Sequence, residues 1–383
     1  MPDMLSQPRT ALERAQSLAE LIGEEALAGE RQGQLTDKVA DAMLDAGLFS
    51  ILLPGRYGGL GESRVSYFQT VEAIARADGS AGWCVSVCNA VNVGALMGLP
   101  ETGRDELFGS GPVACWASLS PNATSTPRDG GFVVSTKGMF GSGSSLARWV
   151  LVAAPIKTAQ GGAGYRAHYV PKEQVRIEEA AWDVMGLRGT ASIDYQIDEV
   201  FVPPHRTYEY GYFPGPEASG TSAVELIQLN ALGLSAFASG VGQHAINELI
   251  ASSKKTKRTA AEGMQAEDNA VQFGVGEIEG RVRAARTHVL ALAARMDACL
   301  TEGRPFDTGL EAMQANQTLA RAARDMVVFA FDNVSTSVVY ARHPLQRCLR
   351  DIFTGLKHAS FTPALLGRIG KVRLGLDFGG PAF

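Results

Sequence analysis

His358 is the side chain of this sequence that is best suited to proton chemistry. An imidazole titrates near neutrality, so it can deprotonate a phenol-like hydroxyl or donate a hydrogen bond. Residues 350–358 have the pattern of one helix, in which Arg350, Thr354 and His358 share a face at i, i+4 and i+8. A helix histidine that bonds only a carbonyl group is the alternative interpretation.

A second group of candidate residues lies in the Gly- and Ser-rich segment at residues 136–150. It contains Ser142 and Gly143, and it ends in Ala147, Arg148, Trp149 and Val150. A hydroxyl group in such a turn can bond a ligand. The alternative is a β-turn without a ligand, with Trp149 in the core.

Residues 183–205 have the pattern of a turn, a strand and a loop. Gly186 and Gly189 bracket Leu187 and Arg188, which indicates a tight turn. Residues 192–202 alternate polar and apolar side chains, as in a half-buried strand, until two prolines end the pattern. We expect His205, which follows the prolines, in a surface loop.

Three regions of different character must position these residues. The chain looks helical to about residue 110, with helices at 35–46 and 65–77. Short alternating strands follow at 112 to about 215. Long helices return at 224–251, 270–299, 309–340 and 344 to about 359, and the first is apolar nearly all round, as in a buried central helix. The predicted domains are 1–111, 112–218 and 219–383.

Composition restricts the kind of protein. The 383 residues are 45% hydrophobic and 20% charged, and the net charge is −5, which argues against nucleic acid or a membrane surface as a partner. Five cysteines without a metal-binding pattern suit a reducing cytoplasm. We expect no signal peptide and no apolar run of transmembrane length.

The segment at residues 183–205 closely resembles the middle β-domain of the acyl-CoA dehydrogenase superfamily. Members bind flavin between that domain and a helical bundle. The resemblance implies an α+β fold with an N-terminal helical domain, a middle β-domain and a C-terminal four-helix bundle. The order of the three regions agrees with this.

Two further motifs resemble the two-component (group D) flavin-dependent monooxygenases of this superfamily. One is Ser142-Gly143 followed by Ala-x-Trp-Val, although an acidic residue is usual where Ser145 stands. The other is Pro344-Leu-Gln-Arg, then Arg-Asp, then His358. Acyl-CoA dehydrogenases commonly carry a catalytic glutamate near this last position, and here that carboxylate is missing.

The resemblance implies that reduced FMN or FAD comes from a separate NAD(P)H:flavin reductase, since no Gly-x-Gly-x-x-Gly motif opens a helix after a strand. Oxygen (O2) would add to the flavin at C4a. One oxygen atom would then be transferred to a small electron-rich substrate, such as a phenol or an indole-type ring. A dry pocket would protect the flavin peroxide.

The resemblance also implies roles for individual residues. Ser142 would hold N5 of the flavin, and His358 would polarise the substrate or the peroxide. The expected flavin-binding residues are Trp116, Ser118, Ser142, Gly143, Arg258, Ser335 and Ser337, the last two from a neighbouring subunit of a homotetramer.

Several of these assignments have alternatives. Trp116 has the pattern of a buried strand residue, and Arg258 suits a helix C-terminus without any ligand. The expected substrate-side residues are Trp83, Asn89 and Asn92.

Two other functions stay open. One is an acyl-CoA dehydrogenase or oxidase with a non-standard base, for which Glu248 on the central helix is the candidate. The other is a flavin-binding protein that has lost catalysis.

Overall fold

The structure is a computed structural model that describes residues 9–109, 114–119, 122–157, 163–178, 182–211, 222–257 and 263–377. Within these ranges, only the backbone is described at 114–119, 163, 210–211 and 222–225. All structural statements below concern this part of the chain.

The N-terminal region consists of helices that begin at polar caps. Thr10, Thr36, Ser63 and Asp78 each accept a hydrogen bond from a first-turn backbone N–H. The helices are α1 (Ala11–Gln32), α2 (Asp37–Asp45), α3 (Arg64–Ala77), α4 (Gly79–Gly98) and α5 (Glu101–Phe108). Helices α2 and α3 match the predicted ones.

The middle region forms two four-stranded sheets, in the orders β1-β4-β5-β8 and β2-β3-β7-β6. Strand β1 pairs with β4 in parallel, and the other described pairs are antiparallel. Val134, Val150 and Tyr195 belong to the apolar layer of this region. The strands are β1 (Ala114–Leu119), β2 (Thr124–Arg128), β3 (Gly131–Gly141), β4 (Ala147–Lys157), β5 (Ala163–Pro171), β6 (Arg176–Ile177), β7 (Ile193–Val202) and β8 (Thr207–Gly211).

The C-terminal region packs around one long helix. This helix, α6, contacts α3, α4, α8 and α9, and small residues allow the close approach. A Cβ at Gly233 would clash with the Tyr67 hydroxyl, and one at Gly240 would clash with the Glu72 carbonyl. The helices are α6 (Ser222–Ser253), α7 (Asn269–Thr301), α8 (Gly309–Asn333), α9 (Pro344–Gly355) and α10 (Pro363–Arg373).

The predicted fold class is confirmed: helices, a β-domain and a helical bundle follow one another along the chain. Two helix ends were predicted too late. Helix α8 ends at Asn333 rather than near 340, and α9 ends at Gly355 rather than near 359. The three domain boundaries stay predictions.

Helix α4 corrects the expectation that no apolar run reaches transmembrane length. By length and composition its 20 residues could cross a membrane, yet 78% of its most apolar stretch is buried inside the protein. Such burial is what a core helix of a globular domain shows.

Candidate active site

Trp83 on α4 joins the three regions of the fold. Its indole Nε1 donates to Ser142 Oγ at 3.1 Å. Its ring lies edge-on to the imidazole of His358, with centroids 6.0 Å apart, and to the ring of Phe237, at 5.2 Å. The structure therefore brings together three predicted site residues, Trp83, Ser142 and His358, at the meeting of helix α4, the β-domain and the C-terminal region.

A tight turn after β3 presents Ser142. Phe140 and Gly143 both have a left-handed backbone, with φ of 61° and 80°. The Gly143 N–H donates to the Thr190 carbonyl at 2.8 Å, and Ser144 Oγ donates to the Ala191 carbonyl at 2.6 Å. These bonds fasten the turn to the segment that precedes β7.

Three hydroxyl groups, beginning with that of Ser142, form a hydrogen-bonded series that is called the hydroxyl chain below. Ser142 Oγ lies 2.6 Å from Ser192 Oγ, which lies 2.6 Å from Thr190 Oγ1. Thr190 Oγ1 donates to the Leu187 carbonyl at 2.8 Å, and Trp182 Nε1 donates to the same oxygen at 3.0 Å. All three hydroxyl side chains are buried.

The other side of Leu187 is held by α9. Its backbone has a φ of 57°, and its N–H donates to Asp351 Oδ1 at 2.6 Å. Burial and the nearby Asp78 raise the pKa of Asp351 to about 7. Arg350 donates to the Met185 carbonyl at 2.9 Å. The Arg-Asp pair of the sequence therefore anchors the turn that carries the hydroxyl chain.

His358 does not lie on the helix of Arg350, so that prediction was wrong. The chain leaves α9 at Gly355, and His358 is the cap of a short 3-10 helix, Ala359–Phe361. Its Nδ1 accepts from the Ser360 N–H at 3.2 Å, and burial lowers its pKa to about 4. The ring is therefore neutral at pH 7 with its proton on Nε2, which suits a hydrogen-bond donor and not a general base.

Asn89 and Asn92 on α4 form hydrogen bonds with backbone groups of the N-terminal region, and their role on the substrate side stays a prediction. Asn89 Nδ2 donates to the carbonyls of Leu48 and Val85, each at 2.9 Å, and its Oδ1 accepts from the Ile51 N–H at 2.8 Å. Asn92 Nδ2 donates to the Phe49 carbonyl at 2.9 Å. Both asparagines are buried.

The other predicted flavin-binding residues fall into two sets. Ser335 and Ser337 bond each other at 2.8 Å on the surface between α8 and α9. Trp116 and Ser118 lie on β1, opposite Val150 and Val152 of β4, but their side chains lie outside the described residues, as does all of Arg258.

Glu248, the alternative base, is half-exposed on α6. Its Oε1 lies 4.0 Å from Nε2 of His244, one helical turn away. No described hydrogen bond or ion pair joins it to Trp83, Ser142 or His358. Burial first, and then Arg347, lowers the pKa of His244.

The remaining candidates have structural positions. His205 lies on the surface, as predicted, and its Nε2 is 3.0 Å from Glu106 Oε2. Cys84, Cys88, Cys299 and Cys348 are buried free thiols. The described residues contain no group of three or more potential ligands that could hold a metal ion.

One cavity of about 370 Å³ lies elsewhere in the fold, and Glu72, Ser239 and Arg286 are among the residues that line it. Arg286 Nε donates to Glu72 Oε1 at 2.7 Å, and Ser239 Oγ donates to the same oxygen at 2.6 Å. The cavity includes none of the residues around Trp83.

Sequence reasoning missed Thr190, Ser192 and Asp351. Thr190 and Ser192 flank Ala191, whose left-handed backbone (φ 46°) breaks the alternation of a strand, so their spacing alone did not predict that their side chains meet. Their meeting with Ser142, some 50 residues earlier, had no signal in the sequence.

The residues present fit a flat ring system that carries an N–H group. Ser142 Oγ accepts from Trp83 and shares one hydrogen bond with Ser192, which leaves it one further hydrogen-bonding position for a ligand. Phe140 and Met139, just before Ser142, are 63% and 57% exposed, so they offer apolar surface beside it. The ring of Phe140 lies 6.2 Å from that of Trp182.

Models of one protein family match both helical regions of the chain. The model described as the N-terminal domain of acyl-CoA dehydrogenase matches residues 12–106, and the one described as the C-terminal domain matches residues 232–363. Together they cover most of α1 to α5 and most of α6 to α9.

Two curated relatives are similar over most of their length. The oxygenase subunit HsaA of a flavin-dependent monooxygenase from Rhodococcus jostii is 25% identical, over 92% of this chain and 94% of that protein. The indole-3-acetate monooxygenase of Pseudomonas putida is 28% identical, over 86% of this chain and 85% of that protein.

The crystal structure of a 3-HSA hydroxylase from Rhodococcus sp. RHA1 superposes with a TM-score of 0.85. It is 25% identical in sequence and covers 97% of this chain and 98% of that one. The similarity therefore extends through the helices, the sheets and the site between them.

Proposed function

Because the chain belongs to the acyl-CoA dehydrogenase superfamily, we propose that it is the oxygenase component of a two-component flavin-dependent monooxygenase. It uses reduced FMN or FAD and O2 to oxygenate a small electron-rich substrate. The similarity to HsaA and to an indole-3-acetate monooxygenase supports both the chemistry and an aromatic or heteroaromatic substrate.

One observation carries this proposal: the group beside Trp83 is a neutral histidine that can donate a hydrogen bond. Acyl-CoA dehydrogenation needs a carboxylate to remove an α-proton. His358 is a poor base, since its pKa is about 4 and its Nδ1 already accepts a backbone N–H. Glu248 has no described contact with the site. Hydrogen-bond donation to an oxygen atom is the chemistry that remains.

The side chains around Trp83 have separate tasks in this reaction. Bound reduced flavin supplies the activation of O2. Ser142 would hold the flavin by accepting a hydrogen bond from its N5–H, and Trp83 fixes the position of that hydroxyl through a bond of 3.1 Å. His358 would donate a hydrogen bond from Nε2–H to an oxygen atom of the bound substrate. Phe237 packs edge-on to Trp83 and helps to exclude water.

The assembly around this site is also part of the proposal. A separate NAD(P)H:flavin reductase supplies the reduced flavin, and the protein works in the cytoplasm as a homotetramer. In it, Ser335 and Ser337 of one subunit reach the flavin of a neighbour. The exposed position of both serines between α8 and α9 supports this part of the proposal.

The decisive experiment mixes the protein and anaerobically reduced FMN or FAD with oxygenated buffer in a stopped-flow spectrophotometer. A long-lived absorbing transient that precedes oxidised flavin, with product from a phenol or indole substrate, is the expected result. His358→Ala should lower product formation, and Glu248→Gln should not. Reduction of bound oxidised flavin by an acyl-CoA, lost in Glu248→Gln, would instead establish the dehydrogenase alternative.

A further inference from the structure

The hydroxyl chain behind Ser142 can run in only one direction. A carbonyl oxygen only accepts, so Thr190 Oγ1 must give its single proton to Leu187, at 2.8 Å. Thr190 therefore accepts from Ser192 and Ser192 accepts from Ser142, each at 2.6 Å. The proton of Ser142 is committed to Ser192.

The direction of the hydrogen bond at the other end of the hydroxyl chain, between Trp83 and Ser142, is fixed as well. An indole N–H only donates, so Ser142 Oγ accepts from Trp83 Nε1 at 3.1 Å. A hydroxyl oxygen has two lone pairs, and one remains. Ser142, Ser192 and Thr190 are 7%, 2% and 1% exposed, so bulk water offers no competing acceptor for their protons.

The backbone around the hydroxyl chain has left-handed conformations, which residues other than glycine usually avoid. Phe140, Leu187 and Ala191 have φ of 61°, 57° and 46°, and they are three of the four left-handed residues other than glycine in the described chain. Such conformations persist only where the surrounding structure imposes them. Asp351 and Trp182 fix both sides of the Leu187 residue, through its N–H and its carbonyl.

We propose that Trp83, Ser192 and Thr190 are positioning residues that make Ser142 an acceptor only, and that this arrangement selects reduced over oxidised flavin. The inference rests on the proposed function. N5 of reduced flavin carries a proton and can donate to the free lone pair of Ser142. N5 of oxidised flavin is itself an acceptor, so the two lone pairs would face each other and both groups would stay unsatisfied.

The test is anaerobic equilibrium binding, without turnover. The Kd of FMN and of FAD is measured in the oxidised form and after reduction by dithionite. We expect wild type to bind the reduced form at least about tenfold more tightly, which is what one unsatisfied buried hydrogen-bonding pair costs.

Two variants break the chain at different points. Ser192→Ala removes the acceptor of the Ser142 proton. In Thr190→Val, the Ser192 proton loses its acceptor and can turn towards Ser142. Each change frees the Ser142 proton to donate to oxidised flavin, so the preference should fall by about tenfold.

Two further variants serve as matched controls. Ser144→Ala removes a buried hydroxyl of the same turn that donates to the Ala191 carbonyl and does not belong to the chain. Thr190→Ser keeps the hydroxyl. Both should retain the wild-type preference, and thermal unfolding of all variants identifies any that fail to fold.

The outcomes separate the two proposals. Equal affinity of wild type for both flavin forms overturns the inference, as does a preference in Ser192→Ala and Thr190→Val that matches Ser144→Ala. If wild type makes oxygenated product while either result holds, the inference alone fails. If wild type binds neither flavin form, the proposed function fails and the inference with it.

Discussion

The side chain of His358 combines a burial that favours the neutral ring with a backbone bond that selects its tautomer. Burial lowers the pKa to about 4, and Nδ1 is used by the Ser360 N–H. The role of His358 as a donor should therefore not change with pH above about 5. A histidine that acted as a base would instead impose an inflection near its pKa.

Replacing His358 should lower product yield without preventing flavin binding. We expect His358→Ala to reduce the product formed per O2 consumed by about 10- to 100-fold, the range of one positioned proton-transfer or donor group. Product by chromatography and O2 by electrode give the ratio, measured from pH 5 to 9.

His343 provides a matched control for this variant. Its Nδ1 accepts from the Leu345 N–H at 3.3 Å, the same type of cap bond that His358 makes. His343→Ala should keep the wild-type ratio. An equal loss in both variants would mean that capping, and not the Nε2–H donor, is what matters at His358.

His168 on β5 is a buried imidazole with no hydrogen-bond partner among the described residues. Burial, and secondarily Arg166, lowers its pKa to about 3. Because the unfolded chain binds this proton more readily, His168 makes the free energy of unfolding fall as pH drops below about 6.5.

The measurement is chemical unfolding of wild type and His168→Leu at pH 7 and pH 4. Wild type should lose about 3 kcal/mol more than the variant over this interval. His288→Leu, which changes an exposed histidine on α7, should behave as wild type. A parallel loss in wild type and His168→Leu would show that His168 is protonated in the folded protein.

Helix α9 connects two regions of the fold. The carboxyl group of its Asp351 accepts a hydrogen bond from the Leu187 N–H, which lies in a turn of the β-domain. The pKa of this carboxyl is raised from 3.8 to about 7, so the folded state holds the proton more tightly than the unfolded chain. The resulting stability is complete below about pH 4 and is lost as pH rises through 7.

Asp351→Asn should remove this pH dependence and keep the acceptor for the Leu187 N–H. Between pH 4 and pH 8 the free energy of unfolding of wild type should fall by about 4 kcal/mol relative to the variant. Asp351→Ala, which leaves the Leu187 N–H without its acceptor, should unfold at lower temperature than Asp351→Asn at each pH. Identical slopes for wild type and Asp351→Asn would contradict the raised pKa.

Local chemistry explains which elements could be predicted from the sequence. Proline at the start of α9, glycines around the turn at 186–189 and the alternation of β7 all act within a few residues. His358 was misplaced because the helical spacing continues past Gly355 although the helix does not. The hydroxyl chain depends on contacts between distant segments, which one sequence does not display.

At the scale of the whole molecule, the segment between α8 and α9 carries exposed apolar side chains beside Ser335 and Ser337. Val339 and Tyr340 are 70% and 54% exposed. Because these two apolar groups lie next to serines that are proposed to reach a neighbouring subunit, we propose that they contact that subunit as well. This segment is the surface that the proposed homotetramer would cover.

Val339→Asp should therefore split the tetramer and weaken flavin binding by about tenfold, as expected when a buried apolar contact receives a charge. Light scattering gives the mass, and anaerobic titration gives the Kd of reduced flavin. Leu374→Asp changes a side chain that is 77% exposed, just after α10, and should alter neither quantity. A Val339→Asp protein with wild-type mass would remove this segment from the interface.

The chain from Trp83 through Ser142, Ser192 and Thr190 to Leu187 consists only of an indole, three alcohols and an amide. None of these groups gains or loses a proton between pH 5 and 9, and none carries a charge that dissolved ions could screen. The direction of its hydrogen bonds depends only on which atoms carry a hydrogen. The contribution of these groups to the preference for one redox state of the flavin should therefore persist across changes of acidity and salt that alter the stability of the fold.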